Sequence, residues 1–347
     1  MAGEQGSEAP KATLEEMRAL LRRLPGPDLE AGTAAAAREG QLTKPAGALG
    51  RLEEIAEWMA TWQGRHPPTA NHPRTAVFAG NHGVAARGVS AYPAAVTAQM
   101  VQNFVAGGAA VNQLCRAVDA DLRVYEMALD EPTADFMEGP AMGAEECALA
   151  IAYGMTAVEP GVDLLALGEM GIANTTSAAA LCHALFGGAA VDWVGPGTGV
   201  AGEALRRKTE VVAAGVERHR AETSDPLEIL QRLGGRELAA IAGAVMAARQ
   251  ARVPVILDGF AATAAAAVLF AADPHALDHC VVAHRSAEPG HARLLKQMGK
   301  PPLFDLGMRL GEASGATLAI AIVKAAVACH TGMATFAEAG VSGKGDS

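Results

Sequence analysis

Aromatic side chains are scarce in this 347-residue chain, at 4%, although half of its residues are hydrophobic. Alanine and glycine take their place, which implies close approach of one backbone to another. A basic surplus is also missing. The net charge of -10 argues against a nucleic-acid surface, whose signature is a basic face. It leaves room for a local site for a small anion, which needs only a few donors. Cysteine is sparse and odd in number: Cys115, Cys147, Cys182, Cys280 and Cys329, with no Cys-x-x-Cys pair. That spacing argues against a disulfide framework and a structural zinc, and fits reduced thiols in cytoplasm. The polar start from Met1 to Pro10 lacks the apolar core of a signal peptide. No apolar run reaches the about 20 residues that cross a bilayer. The longest, Ala316 to Cys329, contains Lys324 and reads as a buried helix.

The length allows one large α/β domain or two domains. After a first dozen residues expected to lack structure, the chain reads as helix up to about residue 70. Thr13 with Glu16 forms a capping box at the start of a helix over 13–23. Further helices are expected over 30–40 and 49–63, and Pro67-Pro68 marks a boundary. From there short apolar runs alternate with glycine-rich turns and helices. Strands are predicted over 75–79, 122–128, 162–167, 190–194, 253–257 and 277–284. Helices are predicted over 94–105, 108–117, 203–220, 237–250 and 261–270. Near-continuous apolar strands alternating with helices indicate a parallel sheet covered on both faces. Ligands of such sheets bind beyond the carboxyl ends of the strands, and the unusual residues fall there: Gly80-Asn81-His82-Gly83, Gly168-Glu169, Gly195-Pro196-Gly197-Thr198-Gly199, Asp258-Gly259-Phe260 and Arg285 to His291.

The most informative stretch is Gly168-Glu169-Met170-Gly171-Ile172-Ala173-Asn174-Thr175-Thr176-Ser177, between an apolar strand and an alanine-rich helix. One cap residue suffices to start a helix. A run of four amide and hydroxyl side chains exceeds that need and suits a phosphate at the helix N-terminus. Glu169 is placed to meet a positive or proton-bearing part of the same ligand. The amides of the 195–199 loop are a second phosphate cradle or simply a tight turn. That loop is neither Gly-x-Gly-x-x-Gly nor a P-loop, and no dinucleotide-binding unit occurs elsewhere, which argues against an NAD-dependent oxidoreductase. Lys208 is either an anion ligand or a solvated lysine. Glu312, among glycines before the last apolar helix, is either a dipole partner or a desolvated general base. His284 and His291 have no matching third ligand nearby, so no metal site is expected. His82 reads as a hydrogen-bonded loop residue.

Taken in order, these motifs resemble one family. Thr43-Lys44-Pro45-Ala46-Gly47-Ala48-Leu49-Gly50-Arg51-Leu52-Glu53 is similar to its Thr-Lys-Pro-x-Gly-Ser-Leu-Gly-x-Leu-Glu segment. Gly88 to Pro93, Asn103 to Ala110, Gly168 to Thr176, Ser286 to His291, Asp305 to Glu312 and Met333 to Phe336 match further segments. From about residue 40 to 342 the chain resembles the nicotinate-nucleotide–dimethylbenzimidazole phosphoribosyltransferase family of cobalamin biosynthesis. The resemblance implies transfer of phosphoribosyl from nicotinate mononucleotide to 5,6-dimethylbenzimidazole, giving α-ribazole 5′-phosphate and nicotinate. It implies an α/β fold: a Rossmann-like large domain, 71–304, and a small helical domain from residues 1–70 and 305–347. It also implies a homodimer with no metal or redox cofactor and no membrane or nucleic-acid partner.

By motif position, Glu312 matches the family's catalytic base and Glu169 the carboxylate of its Gly-Glu-Met-Gly-Ile segment. Asn174, Thr175, Thr176, Gly197, Thr198 and Gly199 are expected to hold the phosphate. Gly171, Lys208, Ser90 and Ser286 complete the expected substrate-binding set. Three departures from the family pattern stand out: Asn81 in place of Asp, Pro196 in place of Arg, and His330-Thr331-Gly332 before Met-Ala-Thr-Phe.

Overall fold

The structure, a computed structural model, describes residues 12–223 and 225–342. The expected unstructured start lies, but for residue 12, outside the described residues. Five parallel strands form one sheet in the order β2-β1-β3-β4-β5: β1 (Pro73–Ala79), β2 (Asp121–Glu126), β3 (Leu164–Met170), β4 (Val255–Leu257) and β5 (Cys280–Val282). The chain moves outward from β1 to β2 on one side and from β3 through β4 to β5 on the other. The order therefore reverses between β1 and β3, where the register pairs Phe78 with Glu169. A crevice opens at such a switch point, outside the carboxyl ends of the strands.

Alternation along the strands separates two layers. Leu165 and Leu167 of β3 join a core built with the helices Ala144–Met155, Asn174–Phe186, Arg236–Gln250 and Phe260–Ala272. Leu164 and Ala166 face the opposite way, onto Ala316, Ala319, Ile320 and Val323 of the helix Ser314–Gly332. The helix Arg51–Gln63 packs over that layer through Ile55 and Met59. Burial on both faces is what made β3 a continuous apolar run. β2, at the edge, instead carries exposed Asp121, Arg123 and Glu126, which discourage pairing with another chain.

The small residues do bring backbones together. A Cβ on Gly154 would collide with the carbonyl of Ala240, and one on Gly243 with that of Ile151. The helices Ala144–Met155 and Arg236–Gln250 therefore cross at close to main-chain contact. The capping box of Thr13 and Glu16 is present at the helix Leu14–Leu21. The last apolar helix is longer than its sequence run, and at 19 residues is long and apolar enough to cross a membrane. Half of it is buried against the sheet layer, which makes it a core helix here. Its Lys324 donates to the carbonyls of Val118 and Asp119, satisfying the end of the helix Ala110–Val118.

One predicted strand is absent. Residues 190–194 form a single 3-10 turn, Ala190–Asp192, leading into buried Trp193. Asp192 accepts from the amide of Ala189, and the Trp193 indole donates to the carbonyl of Gly187, so local partners replace a ladder. A five-residue apolar run does not by periodicity distinguish such a turn from a strand. The helices Ala144–Met155, Pro226–Leu233 and Pro289–Met298 were not foreseen. The last begins with Pro289, whose fixed φ suits a first helical position, inside a stretch that reads as loop.

Candidate active site

A cavity of about 720 Å³ opens at the switch point. Its wall is drawn from the end of β3, the start of the helix Asn174–Phe186, the loops after β4 and β5, and the segments around Ser90, Thr198 and Glu312. Glu169 ends the interior of β3 rather than following the strand, and turns part of its surface to the cavity. The Asn174 side-chain amide donates to its Oε2. Burial, reinforced by the charges of Asp258, Glu237 and Glu312, pushes the Glu169 carboxyl up to about 8 against that donor. Glu169 is therefore largely protonated at neutral pH.

Glu312 approaches from another element. Its backbone amide donates to the carbonyl of Glu169 at 3.0 Å. Gly311, Glu312 and Ala313 have φ of 80°, 60° and 57°, a left-handed run that leads into the helix Ser314–Gly332. For Glu312 and Ala313 this conformation costs about 1–3 kcal/mol each. The fold holds it because Ala313 lies directly on Gly168, where a Cβ would collide with its backbone. Strain of this kind concentrates where a side chain must be aimed. Glu312 is 5% exposed, and no donor among the described residues bonds its carboxyl oxygens. Burial and then the charge of Asp258 push it up to about 7.

The same cavity also suits an anion. Three helices, Asn174–Phe186, Phe260–Ala272 and Ser314–Gly332, start at or beside the cavity and turn their positive ends toward it. Lys208, 1% exposed, donates to Thr175 Oγ1 at 2.8 Å and to the Gly195 carbonyl at 2.9 Å. Burial lowers its ammonium to about 8, with Glu288 opposing the shift. The Gly197 amide donates to Glu288 Oε1 at 2.8 Å, and the Arg309 guanidinium donates to the Gly197 carbonyl at 3.3 Å. Ser90 and Thr198 share a hydrogen bond of 2.9 Å across the mouth. Behind this wall His82 bonds Glu237 at 2.6 Å and Ser177 at 3.1 Å, a buried strut from the β1 loop to the helix start.

The tertiary structure thus brings Glu169, Gly171, Asn174, Thr175, Gly197, Thr198, Ser90, Ser286 and Glu312 to one cavity wall. It does not bring Thr176, Gly199 or Lys208 there. Thr176 is fully buried with its hydroxyl unpartnered. The Gly199 amide is used by the Pro196 carbonyl, and Lys208 lies behind Thr175. The helix begins at Asn174 itself, with Ala173 at φ 76° as the residue before it, so the Asn-Thr-Thr-Ser run is the first helical turn and not a cap. Sequence reasoning missed Glu288, His284 and Arg309 as wall residues. All three sit in stretches singled out above, but nothing in the spacing said which side chains turn inward. Among the described residues no group of His, Cys, Asp or Glu is arranged to hold a metal ion. His291 is committed to structure: it accepts from the Ser286 amide and bonds Thr263, and burial pushes it down to about 3.

A family model described as phosphoribosyltransferase matches residues 24–341. A protein of Sinorhizobium medicae (strain WSM419) named nicotinate-nucleotide–dimethylbenzimidazole phosphoribosyltransferase is 61% identical over 330 residues, 95% of this chain and 97% of its own length. One of the same name from Brucella anthropi is 59% identical over 329 residues, 95% of this chain and 97% of its own. A crystal structure under that name from Thermus thermophilus superposes with a TM-score of 0.85 at 42% identity, covering 91% of this chain and 99% of that one.

Proposed function

The chain belongs to the nicotinate-nucleotide–dimethylbenzimidazole phosphoribosyltransferase family, and from that premise we propose that its cavity transfers phosphoribosyl from nicotinate mononucleotide to 5,6-dimethylbenzimidazole. The products are α-ribazole 5′-phosphate and nicotinate, and the step serves assembly of the cobalamin lower ligand. The observation that carries the reading is Glu312: a buried carboxylate, free of protein donors among the described residues and poised near neutrality, on the wall of the switch-point cavity.

The chemistry requires little else. The nicotinate ring of the mononucleotide is a pyridinium and leaves as a neutral nitrogen, so no acid must assist it. The attacking benzimidazole nitrogen yields a cationic product unless the second ring nitrogen loses its proton. Glu312 takes that proton; its value of about 7 makes it both ionised enough and basic enough near neutral pH. Glu169, protonated at neutral pH, donates to a ribose hydroxyl while Asn174 holds its other oxygen. The helix start at Asn174, with Thr175, Ser90, Thr198 and the Arg309 guanidinium, receives the phosphate and uses its binding energy to position C1′. The Gly197 amide is excluded from this role while Glu288 accepts from it. Lys208 acts through Thr175 and the 195–199 loop.

We further propose a homodimer that works in the cytoplasm without a resident cofactor, with residues 1–70 and 305–347 contributing a small helical domain beside a large domain of residues 71–304. The five cysteines are unpaired, as a reducing compartment requires. Incubation with nicotinate mononucleotide and dimethylbenzimidazole, followed by chromatography, tests the activity. Release of nicotinate matched by α-ribazole 5′-phosphate is expected. Folded protein that binds the nucleotide but forms neither product would make the chain a nucleotide sensor instead.

A further inference from the structure

Asp258, the residue after β4, is fully buried in the floor beside the cavity. Its backbone amide donates to the Leu167 carbonyl, which fixes it to β3. Its Oδ1 accepts from the Ala316 amide at 2.9 Å. Ala316 lies in the first turn of the helix that Glu312 precedes, and that helix has no side-chain cap of its own, because Ala313 stands at the cap position. Asp258 therefore supplies from the sheet the acceptor that the helix start lacks. Contact is close: a Cβ on Gly315 would lie 2.8 Å from Asp258 Oδ1. The second oxygen, Oδ2, is buried with no hydrogen-bond partner. A buried carboxylate half satisfied in this way is costly to keep, and a nonpolar or amide residue would serve the packing better.

We propose that Asp258 is a positioning residue for Glu312, anchoring the helix start behind that base and supplying the negative field in which it accepts a proton. The assignment rests on the reading of Glu312 as the base. Two consequences of one side chain are joined here. The hydrogen bond to Ala316 holds the strained turn from Gly311 to Ala313, and so aims the base. Its negative charge favours the protonated form of Glu312, which makes that carboxylate a stronger base. The other charged or titratable groups around the pair are Glu169 from the end of β3, His284 from the β5 loop with Nε2 3.5 Å from Asp258 Oδ1, and Glu288 and Arg309 from the cavity wall. Neither ring nitrogen of His284 makes a hydrogen bond, and the ring forms an ion pair with Asp258 only when it is protonated.

Asp258→Asn separates the two roles, since the amide oxygen still accepts from Ala316 while the charge is gone. The measurement is the pH profile of kcat and kcat/KM for the wild type, Asp258→Asn, Asp258→Ala and Glu312→Gln, with each fold checked by circular dichroism. In Asp258→Asn the acid limb is expected about one pH unit lower, and the plateau kcat about ten-fold lower, with KM for the nucleotide little changed. Asp258→Ala is expected to lose more kcat than Asp258→Asn, because the turn is no longer anchored. A kcat lowered equally at every pH, with the limb unmoved, would reduce Asp258 to a structural role and overturn the proposal. If instead Glu312→Gln keeps both turnover and limb, the reading of Glu312 as base fails, which is a different failure. Should Asp258→Asn not fold, carboxyl NMR of the unaltered chain and of Asp258→Ser decides, with the Glu312 resonance assigned by its loss in Glu312→Gln. A lower Glu312 midpoint in Asp258→Ser than in the unaltered chain is expected, and an equal midpoint would refute the field of Asp258.

Discussion

The main chain couples the two glutamates of the cavity: the Glu312 amide donates to the Glu169 carbonyl at 3.0 Å. Carboxylates 143 positions apart in sequence (312 − 169) are thereby held at fixed relative height on one wall. Their environments differ, and so do their proton affinities: Glu169 is raised to about 8 and Glu312 to about 7.

Glu312→Gln is expected to lower kcat by about 10²-fold or more while leaving the affinity for nicotinate mononucleotide nearly intact. In the unaltered enzyme kcat/KM is expected to rise with pH through about 7, as Glu312 loses its proton. Steady-state kinetics from about pH 5 to 9 checks both statements. Full turnover in the glutamine variant would remove Glu312 from the chemistry.

The contribution of the two glutamates to stability is expected to fall as pH rises over the same interval. Both glutamates bind a proton more tightly in the folded state than at the ordinary 4.5 of an unfolded chain. Below about 4.5 both states are protonated and the full contribution is present. As pH rises toward 7 and 8 the unfolded chain has already released its protons, and the native state loses this advantage. The Tm of the unaltered chain relative to that of Glu169→Gln should therefore decline across that window, while the absolute curve also carries the buried His279 and His291, lowered to about 3, which act in the opposite sense below about 6.5. An unchanged slope in that variant would show that Glu169 titrates normally.

Gly168→Ala tests the seat of the strained turn. The added methyl would collide with the backbone of Ala313. A loss of about 1–3 kcal/mol in urea denaturation is expected, together with a fall in kcat from displacement of Glu312. Wild-type kcat and stability together would mean that Gly168 does not support that turn.

Thr175 and Thr176 are neighbours with opposite expectations. Thr175→Val removes an acceptor of the buried Lys208 ammonium and a hydroxyl of the cavity wall, and should raise KM for the mononucleotide. Thr176→Val replaces a buried hydroxyl that has no partner with a methyl, and should leave KM unchanged and stability equal or higher. The reverse pattern in kinetics and melting would mean that the phosphate reaches deeper than the cavity wall shows.

Much of this arrangement was legible before any coordinate was known. The parallel α/β class followed from apolar runs that alternate with helices, because a strand buried on both faces cannot alternate with polar residues. The placement of Glu169 and the Asn174–Thr175 pair followed from their position after such a run, since open sheets bind ligands there. Residues 190–194 failed because five apolar residues satisfy a strand or a buried turn equally well, and only the partners of Ala189 and Trp193 choose between them. Thr176 and Gly199 lie off the cavity wall because a run of like side chains on a helix or loop points in several directions, and sequence records no direction.

The linear order of residues by itself determined which chemistry was available: two carboxylates among glycines, a hydroxyl-rich helix start, and strands apolar enough to build a sheet. Folding alone decided how that chemistry is used. It set Ala313 on Gly168, which holds Glu312 in a left-handed turn. It committed the Gly197 amide to Glu288 and buried Lys208 behind Thr175. It brought Asp258 beneath the helix that follows Glu312. The physical reason is that burial and the charges of distant neighbours govern proton affinity and access, and both belong to the packed molecule rather than to any local run of its chain.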